Sequence, residues 1–252
     1  MFSTMRDAGL YLVYMGLESG SEEGLKTLHK QVTVEQNIRA VDILKQVGLM
    51  FEFGFMLFDP SSTFESVSEN VRFLRRIVGD GSAGAVFCRM LPYDGTPIKD
   101  DLERAGRLRG DVCNPSYNFL DPRLDAFYDE LAHTVDVTGW VHGYRALSPQ
   151  LNWVSNEIAI LDRLFPQLPG MWAYRKRVRE ITRESNEMLF HVVEKLSDVY
   201  ADGAANTLSK SALQAHCRRW IADLVRERND FIFRNEETIV GTLREAAQAE
   251  VA

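Results

Sequence analysis

Between Leu10 and Leu91 the chain alternates apolar runs with amphipathic stretches, and the links between them are short. Leu10 to Met15 is a nearly continuous apolar run that ends at Gly16, the pattern of a parallel strand covered on both faces. Thr33-Val-Glu-Gln36 then offers a capping box, and Val34, Ile38, Val41, Leu44 and Val47 recur at helical spacing until Gly48 supplies a stop. A second apolar run, Leu49 to Phe58, ends in Asp59-Pro60. Ser62-Thr-Phe-Glu65 repeats the capping pattern with Ser62 as the cap, and Phe64, Val67, Val71, Leu74 and Ile77 make the buried stripe of a helix that closes at Gly79. A third run, Ala83 to Leu91, stops at the turn-forming Pro92-Tyr-Asp-Gly-Thr-Pro97. Strand, helix, strand, helix, strand with such links means βαβ units and a parallel sheet backed by helices.

From about residue 99 the character changes. Asp121–Val137, Leu151–Phe165, Met171–Tyr200 and Leu208–Glu250 are long, charged and helically periodic, separated by the breakers PSYNFLDP, SPQ, PQLPG and ADGAAN. The expected fold is α/β followed by all-α, with a sheet-bearing part over residues 1–100 and a helical domain over 101–252. A chain that starts almost directly on a strand leaves a parallel edge unpaired, which leads us to expect an N-terminal segment that is missing or supplied by another chain. The net charge of -7 makes nucleic acid an unlikely partner, because phosphate binding calls for a basic stripe. No apolar run approaches the ~20 residues that span a bilayer, and the opening residues run into a motif instead of a cleavage site. Cys88, Cys113 and Cys217 are odd in number and widely spaced, so we expect buried structural thiols in a cytoplasmic protein.

Three stretches carry chemistry, each at the exit of an expected strand: GLESGSEEGLKTLHK (residues 16–30), FGFMLFDPSSTFES (53–66) and RMLPYDGTP (89–97). On the residues alone, Glu18 reads as an acid complementing the dipole of a helix that begins near Ser21, Lys30 as a solvated lysine, and Asp59-Pro60 as a strand end. Arg89 and Tyr93 read as a surface arginine and a turn aromatic. Taken together and in this order, the three motifs resemble the second half of the radical S-adenosylmethionine (radical SAM) barrel, in the subset often joined to cobalamin-binding domains. The resemblance implies that residues 1–100 are half of a partial (β/α)6 TIM-like barrel, whose ligands bind at the strands' C-terminal ends. It implies that Glu18 hydrogen-bonds the ribose or amino end of S-adenosylmethionine, that Ser19 helps shape the turn, and that Lys30 pairs with the methionyl carboxylate or orients Glu18. Asp59, Arg89 and Tyr93 would lie on the substrate or adenine side, and Gly54 stands where some relatives carry an aspartate.

The family's CxxxCxxC loop, which holds three corners of a 4Fe-4S cluster, occurs nowhere in these 252 residues. The resemblance therefore implies radical chemistry on S-adenosylmethionine only with a cluster-carrying N-terminal half, on a small-molecule or peptide substrate, with cobalamin as a candidate cofactor of the complete protein. The alternative is a noncatalytic remnant or a helical protein-interaction module. In the helical part, Glu130 with His133 and Glu187 with His191 suggest a dimetal bundle only weakly, since their spacings differ. Adjacent His216 and Cys217 point to different sides of a helix. Trp140, Trp153, Trp172 and Trp220 read as packing residues between helices.

Overall fold

A computed structural model describes residues 1–141 and 146–249, with side chains described outside 245–249. A short helix that the sequence reading did not anticipate, α1 (Phe2–Asp7), precedes the first strand. Then come β1 (Leu12–Glu18), α2 (Glu22–Thr27), α3 (Val34–Val47), β2 (Met50–Phe58), α4 (Phe64–Val78) and β3 (Cys88–Arg89). The three strands form one sheet in the order β1-β2-β3, with both pairings parallel. The Thr33–Gln36 capping box is formed, and Gly48 ends α3 in the left-handed conformation.

One face of this sheet is closed, and the other is covered only in part, where Asn156 donates to Glu52. Leu17, Phe51, Phe53, Phe55 and Leu57 are buried together with Val41 and Leu44 of α3 and Val67, Val71 and Leu74 of α4, each such side chain contributing roughly 1.5–3 kcal/mol. On the other face Tyr14 is 67% exposed and Gly16 lies opposite Gly54 in register. The expectation of a strand covered on both faces is corrected: β1 and β2 alternate, as one-sided strands do.

The third apolar run becomes a strand only at Cys88–Arg89. The cause lies about a hundred residues away, at Asn186. Its Oδ1 accepts from the Ala85 N–H at 2.8 Å, and its Nδ2 donates to the Val78 and Ala83 carbonyls. The Ala85 N–H and the Ala83 carbonyl, which a longer strand would pair, are satisfied by one amide that also takes the last carbonyl of α4.

Beyond the sheet lie α5 (Pro97–Arg104), β4 (Leu108–Gly110), β5 (Pro115–Tyr117), α6 (Pro122–Val137), α7 (Leu147–Leu164), α8 (Met171–Asp202) and α9 (Lys210–Ala249). The antiparallel β4–β5 hairpin corrects the all-helical expectation. Its strands are too short to show an alternation, and its turn is built by the Asp111 carboxylate, which accepts from the Cys113 and Asn114 N–H groups. The expected breaker Ser148-Pro149-Gln150 lies inside the first turn of α7, where proline breaks no helical bond. Glu250, the expected end of the last helix, lies outside the described residues. Trp140 and Trp220 are buried against each other, but Trp153 and Trp172 are 56% and 71% exposed, so only two of the four pack as expected. Arg228 and Lys176 lie over the exposed rings, which keep a polar partner at the surface.

The core continues without a break from the sheet into the helices. Helix α4 packs on α8, which in turn carries α6, α7 and α9. Arg75 of α4 bridges Glu187 and Glu194 of α8.

Candidate functional site

The site begins with a fault in the pairing of β1 and β2. Gly16 faces Gly54 and Glu18 faces Phe55, so two residues of β1 advance against one of β2. The Ser19 N–H donates to the Leu17 carbonyl at 2.8 Å, and Glu18, central in this three-residue turn, takes φ +66°. A γ-turn of this sign is rare and strained for a residue with a β-carbon.

Two asparagines hold that turn. Asn70, fully buried on α4, accepts from the Ser19 hydroxyl at 3.0 Å and the Gly20 N–H at 2.7 Å, and donates to the Leu57 carbonyl at the end of β2. Asn37 of α3 donates to the Leu17 carbonyl at 3.0 Å. Ser19, also fully buried, accepts from the Ser21 N–H and so shapes the turn from inside. Sequence reasoning missed both asparagines, although Asn70 carries a signal: it falls between Val67, Val71 and Leu74 on the buried stripe.

Lys30 meets Glu18 from the far end of α2. That helix is capped by the Ser21 hydroxyl and closes with His29 at φ +54°. The Lys30 N–H returns to the Leu25 carbonyl and the His29 N–H to Lys26, a Schellman closure with histidine where glycine is usual. The Lys30 Nζ then lies 2.9 Å from Glu18 Oε1, with the Glu18 side chain only 14% exposed. Among the described residues Glu18 and His29 are the two non-glycines with positive φ, and they set the two ends of one ion pair. Gly16 completes the arrangement, because a β-carbon there would stand 2.5 Å from Glu18 Oε1. The carboxylate folds back over the bare backbone of its own strand.

Cys88 belongs to the same corner. The residue as a whole is exposed, yet its sulfur donates to the Phe55 carbonyl, and burial of the thiol, with the Glu18 charge adding to it, raises its pKa. Cys113, in the hairpin turn, is also exposed, so two of the three expected buried thiols are not buried. Cys217 of α9 is, and burial pushes it up to about 12.

The other predicted residues are engaged elsewhere. Asp59 is buried, and its Oδ1 accepts from the Ser61 N–H at 2.7 Å and the Ser61 hydroxyl at 2.6 Å. Ser62 does not cap α4: its Oγ accepts from the Asp59 N–H, and Thr63 makes the capping box with Ser66. The Arg89 guanidinium stands 4.1, 4.5 and 4.7 Å from the ring centroids of Tyr117, Phe119 and Tyr128 and donates to the Tyr117 carbonyl. It ties β3 to the hairpin and α6. Tyr93 is 63% exposed, and its carbonyl accepts from the Thr96 hydroxyl.

The carboxylates suggested for a dimetal bundle are paired with cations, Glu130 with Lys210 and Glu187 with Arg75. Among the described residues, which include all three cysteines, no cluster of three or more His, Cys, Asp or Glu could hold a metal. No described helix is long and apolar enough to cross a membrane.

No known protein-family profile matches the chain. Over 94 residues it is 34% identical to an uncharacterized methyltransferase of Pyrococcus horikoshii, and over 70 residues 37% identical to 4'-phospho-dehydrooxetanocin synthase of Priestia megaterium. Over 117 residues it is 29% identical to anaerobic magnesium-protoporphyrin IX monomethyl ester cyclase of Rubrivivax gelatinosus. These matches take up 37%, 27% and 46% of this chain but only 20%, 9% and 20% of the relatives' lengths. Among solved structures, the cobalamin-dependent S-adenosylmethionine radical enzyme OxsB with aqua-cobalamin bound is 17% identical, with a TM-score of 0.48 over 88% of this chain and 42% of that one. Its apo, selenomethionine-labelled form is 18% identical, with a TM-score of 0.49 over 90% and 43%.

Proposed function

We propose that residues 16–30 form the S-adenosylmethionine subsite of a radical SAM barrel, and that this chain contributes the second half of that barrel to an enzyme whose cluster is carried by a separate N-terminal segment. The observation that carries this reading is the strained ion pair: Glu18 and Lys30 are each delivered by a non-glycine residue at positive φ, beside an open sheet face. Strain of this kind persists where the surrounding structure enforces it, commonly at ligand sites.

The chemistry of the pair suits the ligand. The aminoacyl end of S-adenosylmethionine presents an ammonium and a carboxylate, the charges that Glu18 and Lys30 complement. The space over the facing glycines Gly16 and Gly54 is taken by the Glu18 carboxylate and the Tyr14 hydroxyl, so a ligand approaching the sheet there meets these two polar groups first. Asp59, Arg89 and Tyr93 mark the neighbouring strand exits and would bound the substrate side. The cluster does not fit this chain, because Cys88, Cys113 and Cys217 sit on β3, the hairpin turn and α9. When bound, the cluster would supply the electron that cleaves the sulfonium, and its three thiolates belong to the proposed partner segment. Cobalamin is assigned to the complete protein and to no residue of this chain.

The test is calorimetric titration of S-adenosylmethionine into the chain complemented by a CxxxCxxC-bearing half. Glu18→Ala and Lys30→Ala should each weaken binding by about one to two decades, the worth of a charge-assisted contact. Glu23→Ala, in the first turn of α2 and 65% exposed at its side chain, should leave affinity unchanged. Equal affinities in all variants would make the Glu18–Lys30 pair purely structural.

A further inference from the structure

At the end of the sheet opposite Glu18 lies a cleft of about 710 Å³, bounded by α1, the starts of β1 and β2, the end of α3, and α7 and α8. Its apolar lining includes Leu49, Phe51, Ile158 and Val178, all buried, and the more exposed Leu10 and Leu164. Five cations stand around it: Arg6, Lys45, Arg163, Arg175 and Arg179. Arg6, Arg175 and Arg179 are 43%, 45% and 51% exposed at their side chains, so these three charges lie at the rim, with Lys45, 22% exposed, set deeper.

The rim carries an excess of positive charge. Arg6 pairs with Asp7, Arg175 with Asp162, and Lys45 and Arg179 share Asp80. Arg163 has no carboxylate among the described residues; its guanidinium donates to the Arg6 carbonyl at 2.8 Å. Five cations facing three carboxylates leave two positive charges uncompensated, above a cleft of the size that holds small molecules. We propose that this cleft binds an amphiphilic anion, an apolar chain or ring bearing a single carboxylate or phosphate, with the apolar body on Phe51 and Ile158 and the anionic head at Arg163 and Arg175. The site is remote from the strand exits and independent of the S-adenosylmethionine reading.

Isothermal titration of the full chain with n-octyl phosphate, n-octanoate, inorganic phosphate and n-octanol tests it. One or both amphiphiles should bind saturably and at least tenfold more tightly than inorganic phosphate or octanol, and their ratio tells phosphate from carboxylate. Arg163→Gln, an exposed position, should weaken that binding about tenfold with the melting temperature unchanged, and Ile158→Trp should block it by filling the floor. If Ile158→Trp does not fold, Arg163→Gln decides alone. No saturable amphiphile binding, equal binding of octanol or of inorganic phosphate, or parental affinity in Arg163→Gln would each overturn the proposal.

Discussion

At Glu18 two unfavourable conditions coincide: a left-handed backbone in a residue with a β-carbon, and a carboxylate largely removed from water. The ion pair with Lys30 and the hold of Asn70 and Asn37 on the flanking backbone offset them. The strain predicts a specific difference between two substitutions that both delete the carboxylate. Glu18→Gly should be more stable than Glu18→Ala by about 1 kcal/mol, because glycine takes positive φ without steric cost. Urea midpoints of the two variants check it, and equal midpoints would mean that the turn relaxes. Glu18 could be picked out of the sequence because a lone acid ends an apolar run. The strain could not, since φ is set by how Asn70 seats the turn, and an asparagine in a helix looks like any solvated polar residue until its neighbours on the stripe are counted.

Among the elements, the helices were the most legible, because capping boxes and apolar periods are local properties of the chain. The β4–β5 hairpin and α1 escaped, and β3, expected over Ala83–Leu91, is cut to Cys88–Arg89 where Asn186 of α8 takes the preceding backbone, a partner that no local pattern near residue 83 encodes. The same junction holds Asp80, just after α4, which pairs with Lys45 of α3 and Arg179 of α8 and accepts from the Ser82 N–H. Burial alone would raise its pKa, but the bonds from Ser82 and Lys45 outweigh it and hold the carboxyl at about 2, below the ordinary 3.8. A depressed folded-state value stabilises fully above about pH 4, and that contribution is lost as the pH falls through about 2. Because the Asp80 side chain is 44% exposed, solvent screening holds the effect to about 1 kcal/mol. Asp80→Asn should therefore cost about that much at pH 6, and the gap to the parent should close between pH 4 and pH 2 in denaturant titrations. A gap independent of pH would assign the loss to geometry.

The molecule as a whole shares one core between its sheet and its helices, and residues 1–100 owe part of their burial to α8. Expressed alone, that segment should associate and lack a cooperative urea transition, because its apolar surface and strand edges are uncovered. The full chain should unfold in one step. Size-exclusion chromatography and equilibrium denaturation of both check this, and a monomeric, cooperative 1–100 fragment would refute it. Helix α9 has a mechanical meaning of its own. Its 40 residues extend about 60 Å at 1.5 Å per residue. It is anchored where Phe231 stacks on Tyr174 at 4.6 Å and Asn235 donates to the Pro169 carbonyl, and among the described side chains Ile239 is the last one packed on the core. The described turns past Ile239 form a lever whose fulcrum is Ile239 and whose anchor is that stacked pair, so a force applied to those turns would reach α8 as torque instead of dissipating along a loop.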